Sequence, residues 1–311
     1  MTGIELSREY FNKFGKPLLE KEFGEFLPYL AAGVCGKGSE NFGYDDEISR
    51  DHDYEPGFIV FLPGEEVISR RDAFLMERAY SSLPKEFDGV PRLKVAPVGG
   101  SRHGIKRTAE FFKEMTGSEN GELSLNEWLR IPESLLAEAT NGEIFFDNLG
   151  EVSRIRSLFA DMPEDIRRKK LAGALIIMAQ AGQYNYSRCL SHGEEAAAQL
   201  CVIEFAKKAM NAVFLLNKKH TPFYKWAFRA MRELPLLGNL ADSLEFLISA
   251  DNSPENRELK LKVIEDICGI ISSEIENQSI APKDSELERL AYAVNDTITD
   301  AGIRGMNIFI N

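Results

Sequence analysis

The chain has 311 residues, 44% of them hydrophobic and 28% charged, which is enough for a sizeable core and for two domains. A formal net charge of −12 excludes a dense basic surface, and with it general nucleic-acid binding, which depends on Lys and Arg displacing counterions. Cysteines 35, 189, 201 and 268 lack Cys-x-x-Cys spacing, so a disulfide framework or structural zinc site is excluded in favour of buried free thiols.

The first residues lack the apolar core of a signal peptide. The longest apolar run, Leu171 to Ala181, is interrupted by Gly173 and Gln180 and is too short to cross a bilayer. A cytoplasmic protein without membrane partners is expected.

In chain order, Ser7 to Leu30 has helical spacing, with Ser7 as the cap and Gly15-Lys16-Pro17 breaking the segment into two helices. Ala31 to Cys35 reads as a short buried strand running into a glycine turn. Phe58 to Leu62 is a second strand, closed by Pro63-Gly64. A helix over Val67 to Ser82, a strand over Leu93 to Val98, an extended piece over His103 to Arg107 and a helix over Thr108 to Met115 follow. Trp128 to Thr140 reads as a helix started by Pro132 and ended by Asn141-Gly142, and Glu143 to Asp147 as the last strand.

After Gly150 the pattern becomes helical throughout: Val152 to Ala160, Pro163 to Leu190, Glu194 to Asn217, Pro222 to Leu234, Leu236 to Ala250, Pro254 to Asn277 and Asp284 to Gly302. Pro163, Pro222 and Pro254 are placed at first-turn positions. Met306 to Ile310 is a short strand or a docked tail. The expected fold is α+β, a domain over residues 1–150 with a mixed sheet followed by an all-α helical bundle over 151–311.

Chemistry concentrates between Gly36 and Asp53. In an extended strand, Asp51 and Asp53 aim at one face about 6.6 Å apart along the chain while His52 faces away. Paired carboxylates of this kind suit a hard divalent cation, and magnesium takes one or two carboxylates with waters and substrate phosphates. Gly38 and Ser39 offer a close backbone approach and a hydroxyl to phosphate oxygens. Other phosphate and metal motifs fail on particular residues. A P-loop needs Ser or Thr after Lys37, where Gly38 stands. A dinucleotide fingerprint needs glycine at Asn41. An EF-hand needs glycine at Pro56 and glutamate at Leu62.

Gly38-Ser39, eleven intervening residues and then Asp51-x-Asp53 resembles the signature of the polymerase-β-like nucleotidyltransferase superfamily. The longer string through Gly43-Tyr44-Asp45-Asp46 and Ser49-Arg50-Asp51-His52-Asp53, with Phe145 to Gly150 and Phe214 to Asn217 downstream, looks like a two-domain branch known as a domain of unknown function. In plan it is similar to the aminoglycoside and lincosamide nucleotidyltransferases. The resemblance implies that Asp51 and Asp53 hold one or two Mg²⁺ ions and that Gly38, Ser39 and Arg50 meet the triphosphate of an NTP such as ATP. An NMP would pass to a hydroxyl of a small-molecule acceptor with release of pyrophosphate. A homodimer is compatible, because some relatives build the cleft from two subunits. Tyr54-Glu55-Pro56-Gly57 departs from the pattern by intervening before the next strand.

Asp147, at a strand end, is the candidate third carboxylate, as metal ligand or base, and equally a cap for the helix at Val152; Glu110 and Glu143 are alternatives. Asn185, Arg188 and His192 share one helix face. With Tyr184, Asn217, Lys225 and Trp226 they line a nucleotide or acceptor cleft, or pack in the core. A second class of function stays open: a catalytically silent nucleotide-binding sensor of the same fold.

Overall fold

The computed structural model describes residues 1–48, 54–92 and 102–310. The chain divides into two compact units, Met1–Leu123 with Leu135–Ala160, and Ser124–Ser134 with Asp161–Asn311. A mixed sheet organises the first unit. Among the described residues its order is β5-β2-β1-β6, formed by β1 (Ala31–Val34), β2 (Ile59–Leu62), β5 (Gly104–Arg107) and β6 (Glu143–Asp147). Strand β1 runs antiparallel to both β2 and β6, while β2 and β5 are parallel. A two-stranded ribbon, β3 (Glu86–Phe87) with β4 (Val90–Pro91), stands apart.

Every residue of β1 and β2 is buried, because helices cover both faces of the sheet. That explains the unbroken apolar run at Phe58 to Leu62, where a one-faced sheet would alternate. Ala32, Val34, Val60 and Leu62 pack with Tyr10, Phe11, Met76 and Tyr80 from α1 (Gly3–Tyr10), the turn after it and α3 (Arg70–Ser82). On the other face Phe61 meets Phe111 and Phe112 of α4 (Thr108–Thr116), and Phe112 meets Phe159 of α7 (Glu151–Ala160). Burying each of these side chains is worth about 1.5–3 kcal/mol. Helix α7 therefore stays with the sheet.

Several element ends differ from expectation. The first helix starts at a capping box in which Thr2 and Glu5 bond each other's backbone N–H, whereas Ser7 is buried inside α1. Gly15-Lys16-Pro17 does not break the helix. The chain widens into a π turn over Phe11–Gly15 and continues as α2 (Lys16–Glu22), with Pro17 in the first turn, where its missing N–H costs nothing. Trp128 and Thr140 belong to separate helices, α5 (Leu125–Arg130) and α6 (Glu133–Thr140), since Ile131 precedes Pro132 and is extended, with ψ 130°. The strand expected at Leu93 to Val98 lies outside the described residues.

The second unit is helical: α8 (Glu164–Met178), α9 (Tyr186–Ser191), α10 (Glu195–Leu216), α11 (Tyr224–Arg232), α12 (Leu240–Ser249), α13 (Pro254–Asn277), α14 (Leu287–Asp296) and α15 (Ala301–Gly305). A π turn over Ala179–Asn185 joins α8 to α9. Pro254 takes its first-turn place, but Pro163 is the cap of α8 and Pro222 precedes the cap of α11. The apolar faces of α8 and α10 form the centre of the core with α12, α13 and α14 around them. The C-terminal residues form a docked tail and no strand. The buried Lys169 ammonium donates to the carbonyl of Met306 at 2.7 Å and to Asn295 Oδ1 at 2.8 Å, which meets the requirement that a buried charge be hydrogen-bonded. Among the described residues no helix is long and apolar enough to cross a membrane.

Candidate functional site

Strand β1 ends in a turn that only glycine accommodates. Gly36 has φ 101° and Gly38 φ 121°, conformations that L side chains rarely adopt. The turn is held by two asparagines. Asn141, just after α6, accepts from the Gly36 N–H through Oδ1 and donates to the Gly36 carbonyl through Nδ2, both at 2.8 Å. Asn41 donates from Nδ2 to the Lys37 carbonyl at 3.0 Å. Gly142 N–H donates to the Asn41 carbonyl at 2.7 Å, and a Cβ on Gly142 would lie 2.0 Å from the Val34 carbonyl oxygen. The pair expected only to stop a helix is thus also the clamp on the turn.

Beside the turn lies a cleft open to solvent, lined by Lys37, Arg102, His103, Lys106, Glu114 and Phe111 among others. Strand β5 delivers three of these, because its parallel pairing with β2 sets Gly104 opposite Ile59 and carries Arg102 and His103 past the end of the sheet. Arg102 donates to the Lys37 carbonyl at 2.6 Å and forms an ion pair with Glu40. This pair covers Gly38, where a Cβ would lie 1.9 Å from the guanidinium. Burial lowers the Arg102 pKa. Burial also lowers that of Lys106, against the opposing pull of Glu114, so its charge is held where water is scarce. His103 packs its ring on Gly57 and meets Glu55 Oε1 at 3.2 Å; burial lowers its pKa and Glu55 opposes. Cys35, at the floor, has its thiol pushed up to about 11 by burial.

Among the described residues, the buried side-chain atoms without a hydrogen-bond partner are Asn41 Oδ1, Asp45 Oδ1, Glu138 Oε2 and Arg156 Nη1. All lie on or beside the loop from Cys35 to Asp45. Glu138 is a neighbour of Lys37, which counters the rise in its pKa caused by burial, and Arg156 reaches Cys35. Unsatisfied buried groups cost about 1–3 kcal/mol each, and these four gather around one loop.

Of the residues singled out from sequence, Gly38 and Ser39 lie in this turn. Ser39 opens a short 3-10 turn over Glu40–Phe42 without capping it through its side chain. Arg50, Asp51 and Asp53 lie outside the described residues. Asp147 pairs with Ala31, at the end of β1 away from the glycine turn. Its carboxylate accepts from Gly150 N–H at 2.9 Å and Ser153 N–H at 2.7 Å, so it caps α7 and is not brought to Gly38 and Ser39. Glu143 is opposite Val34 at the turn end, but its carboxylate is paired with Arg8.

Asn185, Arg188 and Lys225 belong to the second unit. Asn185 ends the π turn, Arg188 lies 5.0 Å over the Tyr184 ring and Lys225 5.1 Å over Trp226. Asn217 is engaged with the backbone of Val213 and Leu236, which makes it a helix cap rather than a cleft residue. Among the described residues no cluster of three or more His, Cys, Asp or Glu is placed to hold a metal ion. Sequence reasoning did not single out Arg102, Lys106, Asn41, Asn141 or Glu138 as site residues. The basic density of Arg102-His103-x-x-Lys106-Arg107 was the one available signal.

Residues 128–227 match the family described as a domain of unknown function (DUF4037). No curated protein matches the chain. Among solved structures, the crystal structure of a nucleotidyltransferase-like protein from Exiguobacterium sibiricum 255-15 aligns with 91% of this chain and 89% of its own, at 11% identity and a TM-score of 0.37. The fold assignment itself rests on the strand pairing and helices described above: an α+β unit with a mixed sheet, and a helical unit.

Proposed function

We propose that the sheet unit binds the triphosphate of an NTP at the Gly36–Ser39 turn and transfers its NMP to a hydroxyl of a small-molecule acceptor. The carrying observation is the glycine turn with φ 101° and 121° beside a cleft lined by Lys37, Arg102 and Lys106. A glycine turn that lets an anion approach the backbone closely, with desolvated cations beside it, is what phosphate oxygens need. Lys37 and Lys106 neutralise the phosphates, and Arg102 exchanges Glu40 for a phosphate oxygen when one arrives.

Asp51 and Asp53, two hard oxygen donors one residue apart, have the chemistry to hold Mg²⁺, which would screen the charge of the departing pyrophosphate. The acceptor oxygen bonds to the α-phosphorus as the bond to the bridging oxygen breaks, pyrophosphate leaves with the electron pair, and the hydroxyl proton passes to a carboxylate. With Asp147 engaged as a cap, Glu114, which lines the cleft beside Lys106, is the carboxylate offered for that proton.

Pyrophosphate release from Mg·NTP across an acceptor panel tests the reading, with Asp51→Asn and Asp53→Asn as controls. Release by the wild type that both substitutions abolish supports it, and release indifferent to them removes it. The engagement of Asp147 favours one rival, a silent nucleotide sensor. That rival predicts Mg·NTP binding without release for any acceptor.

A further inference from the structure

Two of the four thiols are neighbours. Cys189 lies in α9 and Cys201 in α10, helices joined by a turn through Gly193, and their Sγ atoms are 3.9 Å apart. Cys35 and Cys268 are buried, whereas Cys189 and Cys201 are each partly exposed. A small oxidant therefore reaches the pair and not the others. A disulfide needs its sulfurs at about 2.05 Å, and side-chain rotation at two partly exposed positions is the least costly way to close the remaining gap.

We propose that Cys189 and Cys201 are a redox modification site that closes to a reversible disulfide in the presence of a peroxide. The thiolate of one cysteine of the pair attacks a peroxide oxygen, the O–O bond breaks, and a sulfenic acid and one water form. The other cysteine's sulfur then attacks the sulfenic sulfur, the S–O bond breaks, and a second water leaves with the proton from the second thiol. Two thiols together lose two electrons and two protons, and hydrogen peroxide is reduced to two waters. Both thiols are partly exposed, so either sulfur can take the first step with its neighbour resolving it. The bond ties α9, which carries Arg188, to α10 across a closed loop. A thiol reductant reverses it.

The test treats the full chain with a small excess of hydrogen peroxide, quenches it, and counts thiols after denaturation. The expected count falls from four to two, with a mass loss of about 2 Da, a cross-linked peptide joining Cys189 to Cys201, a higher melting temperature, and full reversal by dithiothreitol. In Cys201→Ser dimedone labels Cys189, in Cys189→Ser it labels Cys201, and neither variant forms the disulfide. Four thiols after treatment, a link that includes Cys35 or Cys268, or a link between two chains overturns the proposal, and none of these readings depends on how the variants fold.

Discussion

The two ends of the central sheet carry similar-looking polar turns and do opposite things. At one end Asp147 closes β6, and its two oxygens accept from the backbone N–H groups of Gly150, just before the next helix, and Ser153, in its first turn. At the other end the turn after β1 has its backbone pinned by Asn41 and Asn141, while the cations around it are desolvated and Asn41 Oδ1 and Glu138 Oε2 stay without partners. A polar residue at a strand end is structural when the backbone consumes it. It points to a ligand when the backbone is already satisfied and the charge remains.

The largest effect that sharpens this contrast is expected from Gly142→Ala. Its Cβ meets a backbone oxygen at 2.0 Å and its φ is 67°, so neither space nor conformation yields. Urea unfolding should show a loss of about 3 kcal/mol, with anion binding lost alongside. Lys106→Ala and Lys37→Ala should instead leave the urea midpoint nearly unchanged and weaken binding of inorganic pyrophosphate about tenfold, roughly 1.4 kcal/mol, by calorimetric titration. Asp147→Ala reverses the pattern. Losing the cap should cost about 1 kcal/mol of stability with pyrophosphate affinity unchanged, and a loss of affinity there would break the comparison.

Smaller effects follow from the pairs around the turn. Glu40→Gln removes one ion-pair partner of Arg102, and pyrophosphate should bind a few-fold tighter, most clearly at low salt. His103 gives a pH signature. Burial holds its folded pKa below the ordinary value of 6.5, so the unfolded chain binds the proton first as pH falls. Stability must then decline from about 6.5 downward through the folded pKa. A plot of urea midpoint against pH should be flatter for His103→Gln than for the wild type in that window.

Much of the fold is legible without coordinates. The apolar run at Phe58 to Leu62, the strand entering the glycine turn and the helix begun by Pro254 are local patterns, and each element lies where the pattern puts it. What local pattern does not reveal is which distant groups meet. The Asn141 amide reaches Gly36 across 105 positions, and Arg102 reaches Glu40 across 62. The π turn at Phe11–Gly15 hides in the same way: Gly15 and Pro17 signal a break, yet Gly15 lets the helix press on Phe58, where a Cβ would lie 2.4 Å from the ring. Helix stops and basic stretches are visible one at a time, and only the sheet register turns them into a site.

The central claim, that the glycine-turn end of the sheet takes a nucleotide triphosphate, is tested most directly by calorimetric titration of the four Mg·NTPs into the wild type, Lys106→Ala and Asp147→Ala. The account predicts binding of at least one nucleotide to the wild type, weakened about tenfold in Lys106→Ala and unchanged in Asp147→Ala. No binding of any nucleotide, or equal affinity in the wild type and Lys106→Ala, would contradict it.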